Sequence, residues 1–348
     1  MGLFLWYDRY IERLANKLKN SLNKTIQGVN LGGWLLVERW MTPSLFEGTD
    51  AEDEYSLSQL NGGADRLRRH HKTFITEADW QWLADHGITH VRLPIGYWAL
   101  DGDAPYISVR KTLDWAFKMA DLYGVKILLD VHALKGSQNG TIHSGRQGAV
   151  NWQAHIPDNL EALRNIARRY RDQPALWGIE IINEPKVLGN YFALLRYYRQ
   201  AYHMLRKELR AGTYTVFQDG FVPPLFAGAL WPRKDYPVIM DTHFYLLPTQ
   251  FLHKASPKKY DGLRTALYSF LLVTARIRQP VIVGEWSSIL PQPQFNAVPH
   301  SQHMQLLAGT IIRQRKAYRS ALATFYWNYK TEGSGMYNYR SLVDDEVI

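Results

Sequence analysis

The 348-residue chain contains no cysteine. Disulfide bridges and cysteine-held metals are therefore excluded, and a reducing compartment is compatible with the sequence. No run reaches the ~20 apolar residues needed to span a bilayer. The apolar run Gly2–Tyr7 is broken at once by Asp8 and Arg9. It is too short for the core of a secretory leader, and no small-residue cleavage site follows it. These absences make a cytoplasmic protein the expectation. A glycine-rich phosphate loop opening a first helix is also missing, which removes the main support for a dinucleotide fold. No HExxH stretch, acidic calcium loop or G-x-S-x-G elbow occurs. Neither a metal nor a cofactor is expected.

What is present is more specific. The net charge is +9, from 41 basic and 32 acidic residues. Basic clusters occur at Arg66–Arg69, at Arg168, Arg169 and Arg171, and at Arg313, Arg315 and Lys316. They fall on separate elements and in no nucleic-acid motif, so solvated helix faces explain them and nucleic acid is not an expected partner. Aromatic residues are abundant, with 12 Trp and 21 Tyr, which suits either a Trp-rich core or surfaces that stack flat ligands such as sugars. Near the start, Tyr7, Ile11, Leu14 and Leu18 recur at helical spacing among Arg9, Arg13, Lys17 and Lys19. Residues 1–27 are therefore expected to be an amphipathic helical extension packed on the body of the protein. Peripheral contact with a membrane surface is the alternative.

From Gly28 onward one unit repeats: a short β-rich run, a loop, then an amphipathic helix. The eight runs are Gly28–Leu36, His90–Pro94, Val125–His132, Gly178–Asn183, Tyr214–Gln218, Val238–His243, Val281–Glu285 and Ala323–Asn328. Gly87 and Gly124 sit where helices end just before a strand, and Thr76 precedes Glu77 and Asp79 as a helix N-cap. Runs such as VKILLDV and VIVGEW are apolar on both faces, as parallel strands covered by helices must be. The expected fold is α/β: a single (β/α)8 TIM barrel over residues 28–348.

Such barrels place their chemistry at the carboxyl ends of the strands. Those ends hold Arg92, then Asp130 and His132, then Asn183 and Glu184, then His243 with Tyr245 beyond it, then Glu285, and Trp327. A barrel built only for packing would carry Val, Ile and Leu there. Glu184 and Glu285 can oppose each other across the mouth, which suits hydrolysis of a glycosidic bond, one as proton donor and one as nucleophile. Asn183 can bond a sugar hydroxyl, His243 and Tyr245 can orient Glu285, Arg92 can hold it ionised, and Trp327 can floor the sugar site.

These residues together resemble glycoside hydrolase family 5. The resemblance runs from Gly28 to about Glu332. It implies Glu184 as acid/base, Glu285 as nucleophile and a retaining mechanism. The opening GVNLGGWLLVERWMTPSLFEG, with GSQNG at Gly136–Gly140 and YKTE at Tyr329–Glu332, is similar to the exo-β-1,3-glucanases of that family. That similarity implies that Glu38 contacts the terminal glucose in a blind pocket. After GSQNG the chain departs from the pattern: Thr141 replaces an aromatic, Ile142 an aspartate, and Arg146–Gln147–Gly148 follow Ser144–Gly145. The expected substrate is a β-glucan or gluco-oligosaccharide with β-1,3 linkages, cut from the end. A glucolipid or a β-1,6 or β-1,4 oligosaccharide is the alternative within enzymes. A carbohydrate-binding protein without turnover is the alternative outside them, and the intact glutamate pair argues against it.

Overall fold

Strands that are apolar on both faces, alternating with helices that are apolar on one, bury both only if a parallel sheet lies inside a layer of helices. The computed structural model, which describes residues 25–246, 255–333 and 335–347, has this form. Eight parallel strands close into a barrel in chain order: β1 (Ile26–Asn30), β2 (His90–Gly96), β3 (Lys126–Ala133), β4 (Leu176–Glu180), β5 (Tyr214–Gln218), β6 (Val238–Phe244), β7 (Val281–Trp286) and β8 (Ala323–Tyr326). β8 pairs back onto β1, with Phe325 opposite Gly28.

The helices are α1 (Glu54–Gln59), α2 (Gly63–Thr73), α3 (Glu77–Asp85), α4 (Arg110–Leu122), α5 (Ile156–Tyr170) and α6 (Tyr191–Glu208). After β5 come α7 (Pro223–Phe226), α8 (Pro257–Arg276), α9 (Gln292–Asn296), α10 (His303–Tyr318) and α11 (Tyr339–Asp344). α8 begins at Pro257, where the fixed φ of proline suits a first turn. The N-cap expected at Thr76 is present. Asp79 accepts the Thr76 backbone N–H at 2.7 Å, Lys330 Nζ and Arg340 Nη1 at 2.9 Å each, and the Tyr329 hydroxyl at 3.0 Å. One buried carboxylate thereby ties the start of α3 to the chain beyond β8.

Alternation along the strands sorts the barrel interior into levels, because residues i and i+2 share a face. At the amino end, Leu128, Val216, Ile239, Ile282, Ala323 and Phe325 form an apolar plug. Two residues further on, on the same faces, Leu128 gives way to Asp130 and then His132, and Ile239 to Asp241 and then His243. Gly284 follows Ile282. A Cβ there would lie 1.9 Å from the Asp241 carboxylate, whose other oxygen accepts the Gly284 N–H at 2.6 Å.

The largest departures from expectation are at the ends of β1 and β4, while the other strands end within two residues of the expected positions. The first strand does not run to Leu36. It stops at Asn30 and the chain turns at Gly32–Gly33, where Gly32 lies so close to Trp327 that a Cβ would come within 2.7 Å of the ring. β4 pairs only to Glu180, not to Asn183. Ile181 N still reaches Val216 O at 3.0 Å, and then the chain leaves the sheet. The expected helix over Tyr7–Leu18 lies outside the described residues, and Ile26 and Gln27, expected in the same extension, belong to β1.

Candidate active site

Arg92 rises from β2 into the centre of the upper barrel and is wholly buried. Its guanidinium donates to Glu180 from Nε at 2.8 Å and from Nη2 at 3.2 Å, to Asn183 Oδ1 at 2.8 Å and to Glu285 Oε1 at 2.9 Å. Asp130 lies 2.9 Å from Nη2 and Asn30 Oδ1 accepts at 3.1 Å. One cation thus spaces four strand ends. In a fully buried site its charge is offset by carboxylates on every side, which keeps it protonated.

Glu285 sits at the end of β7 and receives two donors, Arg92 on one oxygen and the Tyr245 hydroxyl on the other at 2.7 Å. Burial raises its pKa, with the Glu184 charge adding to that, against His243 and Arg92. Glu184 stands opposite. Atoms of Glu184, His243 and Glu285 lie within 4.8 Å of one another. Glu184 has φ 41, in the left-handed region that a non-glycine residue adopts at a cost of roughly 1–3 kcal/mol. Its carbonyl is held by Asn139 Nδ2 at 3.0 Å. Pro185 follows directly and cannot carry on the sheet ladder.

The imidazoles settle on Glu184. His243 Nδ1 is 2.6 Å from Glu184 Oε1 and 3.6 Å from Glu285, so this histidine orients Glu184 rather than Glu285, contrary to expectation. Its Nε2 faces Asp241 at 3.3 Å, which anchors it from below. His143 Nε2 lies 3.1 Å from the other Glu184 oxygen. Burial disfavours the His143 cation, but the bond to Glu184 and its charge win and raise its pKa to about 9. Burial likewise works against the charged form of Glu184, yet bonds to His143 and His243 outweigh it and hold the carboxyl well below its ordinary range.

The other expected residues line the same space. His132 Nδ1 bonds Asp130 at 2.6 Å, its Nε2 lies 3.1 Å from Asn183 Nδ2, and its ring lies near-parallel to Trp327 at 5.7 Å. Asn183 is buried and also satisfied by Arg92. Glu38 accepts the Trp40 indole N–H at 2.8 Å, and Trp40 packs edge-on against Tyr337 at 4.9 Å. The Glu38 charge acts on His143 and Tyr337, as does that of Glu285, so Glu38 faces the cavity from the β1 side. Glu180, Asp241 and His143 escaped the sequence reading. The first two carried a signal: charged residues within otherwise apolar runs, close to their carboxyl ends. His143 sits in the GTIHSG loop, where only the departures from family pattern drew notice. There Thr141 Oγ1, in place of the expected aromatic, sits 2.9 Å from His143 Nε2, with Asn139 Nδ2 at 2.8 Å.

Among the described residues two groupings have metal-like spacing, Glu180–Asp241–His243 and Glu184–His243–Glu285. The first already holds the Arg92 guanidinium, 2.8 Å from Glu180 and 3.8 Å from Asp241, which supplies positive charge there. The second is the opposed carboxylate pair itself.

The family model for cellulase, glycosyl hydrolase family 5, matches residues 51–333. The chain belongs to glycosyl hydrolase family 5. It is a glycoside hydrolase, with the retaining chemistry of that family. Among similar proteins is a probable glucan 1,3-beta-glucosidase A of Emericella nidulans, 38% identical over 78% of this chain and 69% of its own length. That of Aspergillus niger is 37% identical over 94% of this chain and 88% of its own. The rutinosidase of A. niger superposes with a TM-score of 0.78 at 21% identity, over 94% of this chain and 98% of that one, which bears on the fold alone.

Proposed function

We propose that this enzyme releases glucose from the end of β-1,3-linked glucans, with Glu285 as nucleophile and Glu184 as acid/base. The observation that carries the proposal is the division of partners between two opposed carboxylates. Glu285 accepts hydrogen bonds from Arg92 and Tyr245, which favour its anion against burial. Glu184 is met by two proton-bearing imidazoles. The spacing, with oxygens within 4.8 Å, suits the ~5–5.5 Å of a double displacement. Glu285 attacks the anomeric carbon as the glycosidic C–O bond breaks, and the leaving oxygen takes the proton of Glu184. Water then gives a proton to Glu184, and its oxygen displaces Glu285. At rest Glu184 is ionised and the proton sits on His143, so His143 passes a proton to Glu184 as the leaving oxygen takes one, and recovers it from the attacking water through Glu184. Exo action on β-1,3 linkages is supported by the names of the relatives and by Glu38, Trp40 and Tyr337 on the β1 side of the cavity.

The test is a panel of laminari-, cello- and gentio-oligosaccharides, scored by released glucose, with Glu285→Gly assayed in azide. Glucose from laminari-oligosaccharides, and an α-glucosyl azide from the variant, are the expected products. Internal cleavage, or azide adducts formed only with Glu184→Gly, would reject the assignment. A glucolipid substrate is the second reading. It is favoured by Phe221, half-exposed and edge-on to His243 at 6.2 Å, which offers an apolar surface beside the mouth.

A further inference from the structure

The positive charge of this chain is not spread over it. Residues 242–331 hold eleven lysines and arginines and two acidic residues, Asp261 and Glu285, so this segment carries the whole net charge of +9. Neither acid is at the surface. Asp261 is buried against Arg313, and Glu285 lies in the site. Lys258, Lys259, Arg278, Lys316 and Arg319 are exposed, and among the described residues none of them has a carboxylate within ion-pair distance. On α5 and α6 the opposite holds, since Arg164, Arg168 and Arg169 each pair with Glu208, Glu161 or Asp114.

The same sector exposes apolar side chains in a row. Along α8, Leu263, Leu267, Phe270, Val273 and Ile277 recur at helical spacing on one outward face, with Phe270 65% and Ile277 72% exposed. The neighbouring α10 adds Met304 and Ile312, the latter 65% exposed. A face ~30 Å long, by the 20 residues of α8, is thus apolar along its centre and basic around it.

We propose that the outer face of α8 and α10 docks on an anionic lipid bilayer. Its charge and its apolar stripe together fit headgroups and the acyl boundary beneath them. A polyanion such as nucleic acid would use the charge and leave the stripe in water. A second copy, paired face to face, would oppose like charges. Residues 1–24 hold Arg9, Arg13, Lys17, Lys19 and Lys24 against Asp8 and Glu12, so they share the sign of this face and do not neutralise it. The described chain begins next to this face, where the Thr25 hydroxyl donates to Arg319 O beyond α10 at 2.6 Å. The proposal stands apart from the linkage specificity.

The experiment is co-sedimentation of the full chain with phosphatidylcholine vesicles, with or without about one-third phosphatidylglycerol. Binding only to the anionic vesicles, lost in high salt, is expected. Leu267→Ser with Phe270→Ser, and separately Lys258→Glu with Lys259→Glu, should each weaken partition by about tenfold or more. Turnover of a soluble aryl β-glucoside should be unchanged, and it reports folding. The lysine pair is fully at the surface and keeps the test valid if the serine pair unfolds. The proposal is overturned if the chain ignores both vesicles. It is overturned equally if binding survives both α8 variants and is lost in Ile11→Ser with Leu14→Ser, or if Leu267→Ser with Phe270→Ser merely splits a dimer.

Discussion

The two ends of the barrel interior are built on the same strands and the same faces, yet they are chemically opposite. At the amino end Leu128, Val216, Ile239, Ile282 and Phe325 fill the space with hydrocarbon. One level up, Asp130, Glu180 and Asp241 surround a single guanidinium, and above them Glu184, Glu285 and three histidines crowd the mouth. The lower end gains from removing apolar surface from water and needs no precise partner. The upper end gains little net stability from its charges, because desolvation opposes their attraction. What it gains is position: Arg92 fixes Glu285, Asn183, Glu180 and Asp130 relative to one another.

Substitutions at the two ends should therefore separate cleanly. The largest effect is expected on activity alone. Glu285→Gln and Glu184→Gln should each lower kcat for oligosaccharides by at least about a thousandfold with an unchanged circular dichroism spectrum. A variant that kept near-normal turnover would place the chemistry elsewhere. Arg92→Met should damage both properties, because it leaves four carboxylates, Asp130, Glu180, Asp241 and Glu285, buried without their cation. Denaturant unfolding should show a loss of roughly 3–5 kcal/mol together with lost turnover. A stable Arg92→Met protein would mean that the carboxylates neutralise one another by taking up protons.

Ile239→Ala should do the reverse, costing about 3 kcal/mol in the plug while kcat/KM at low temperature stays close to the parent. A large kinetic effect there would show that the two levels are coupled through Asp241, two residues further along β6. The smallest effect is a shift in pH dependence. His143 is raised from 6.5 to about 9 by Glu184, so it keeps its proton to about pH 9 and the basic limb of kcat/KM should fall there. His143→Asn should move that limb to lower pH by about one unit or more. The same contact stabilises the fold fully below pH 6.5 and fades as pH rises through about 9. An unmoved limb would reduce His143 to a structural contact.

Much of the upper end was legible beforehand, because period-2 alternation is a local property. Polar residues at the ends of apolar runs named Arg92, His132, Asn183, Glu184, His243 and Glu285 as neighbours. The direction of His243 was not legible. Whether its Nδ1 meets Glu184 or Glu285 depends on how far β4 extends before it leaves the sheet. Pairing stops at Glu180 rather than Asn183, which swings Glu184 toward β6. Glu180 was masked by its setting in an apolar strand, and His143 by its place in a loop, where no periodicity says which way a side chain points. The first strand was overestimated because Leu31–Leu36 is apolar enough for β structure, while the Gly32–Gly33 turn and the approach to Trp327 depend on β8.

By itself the sequence determined eight parallel units and put a glutamate at the end of the fourth and of the seventh, since spacing and turn residues act over a few positions. Only the tertiary structure decided which carboxylate meets the histidines and which meets the guanidinium. Arg92 and Glu285 are 193 residues apart, and His243 and Glu184 are 59 apart. Closing the barrel, not any local preference, brings them within hydrogen-bond distance.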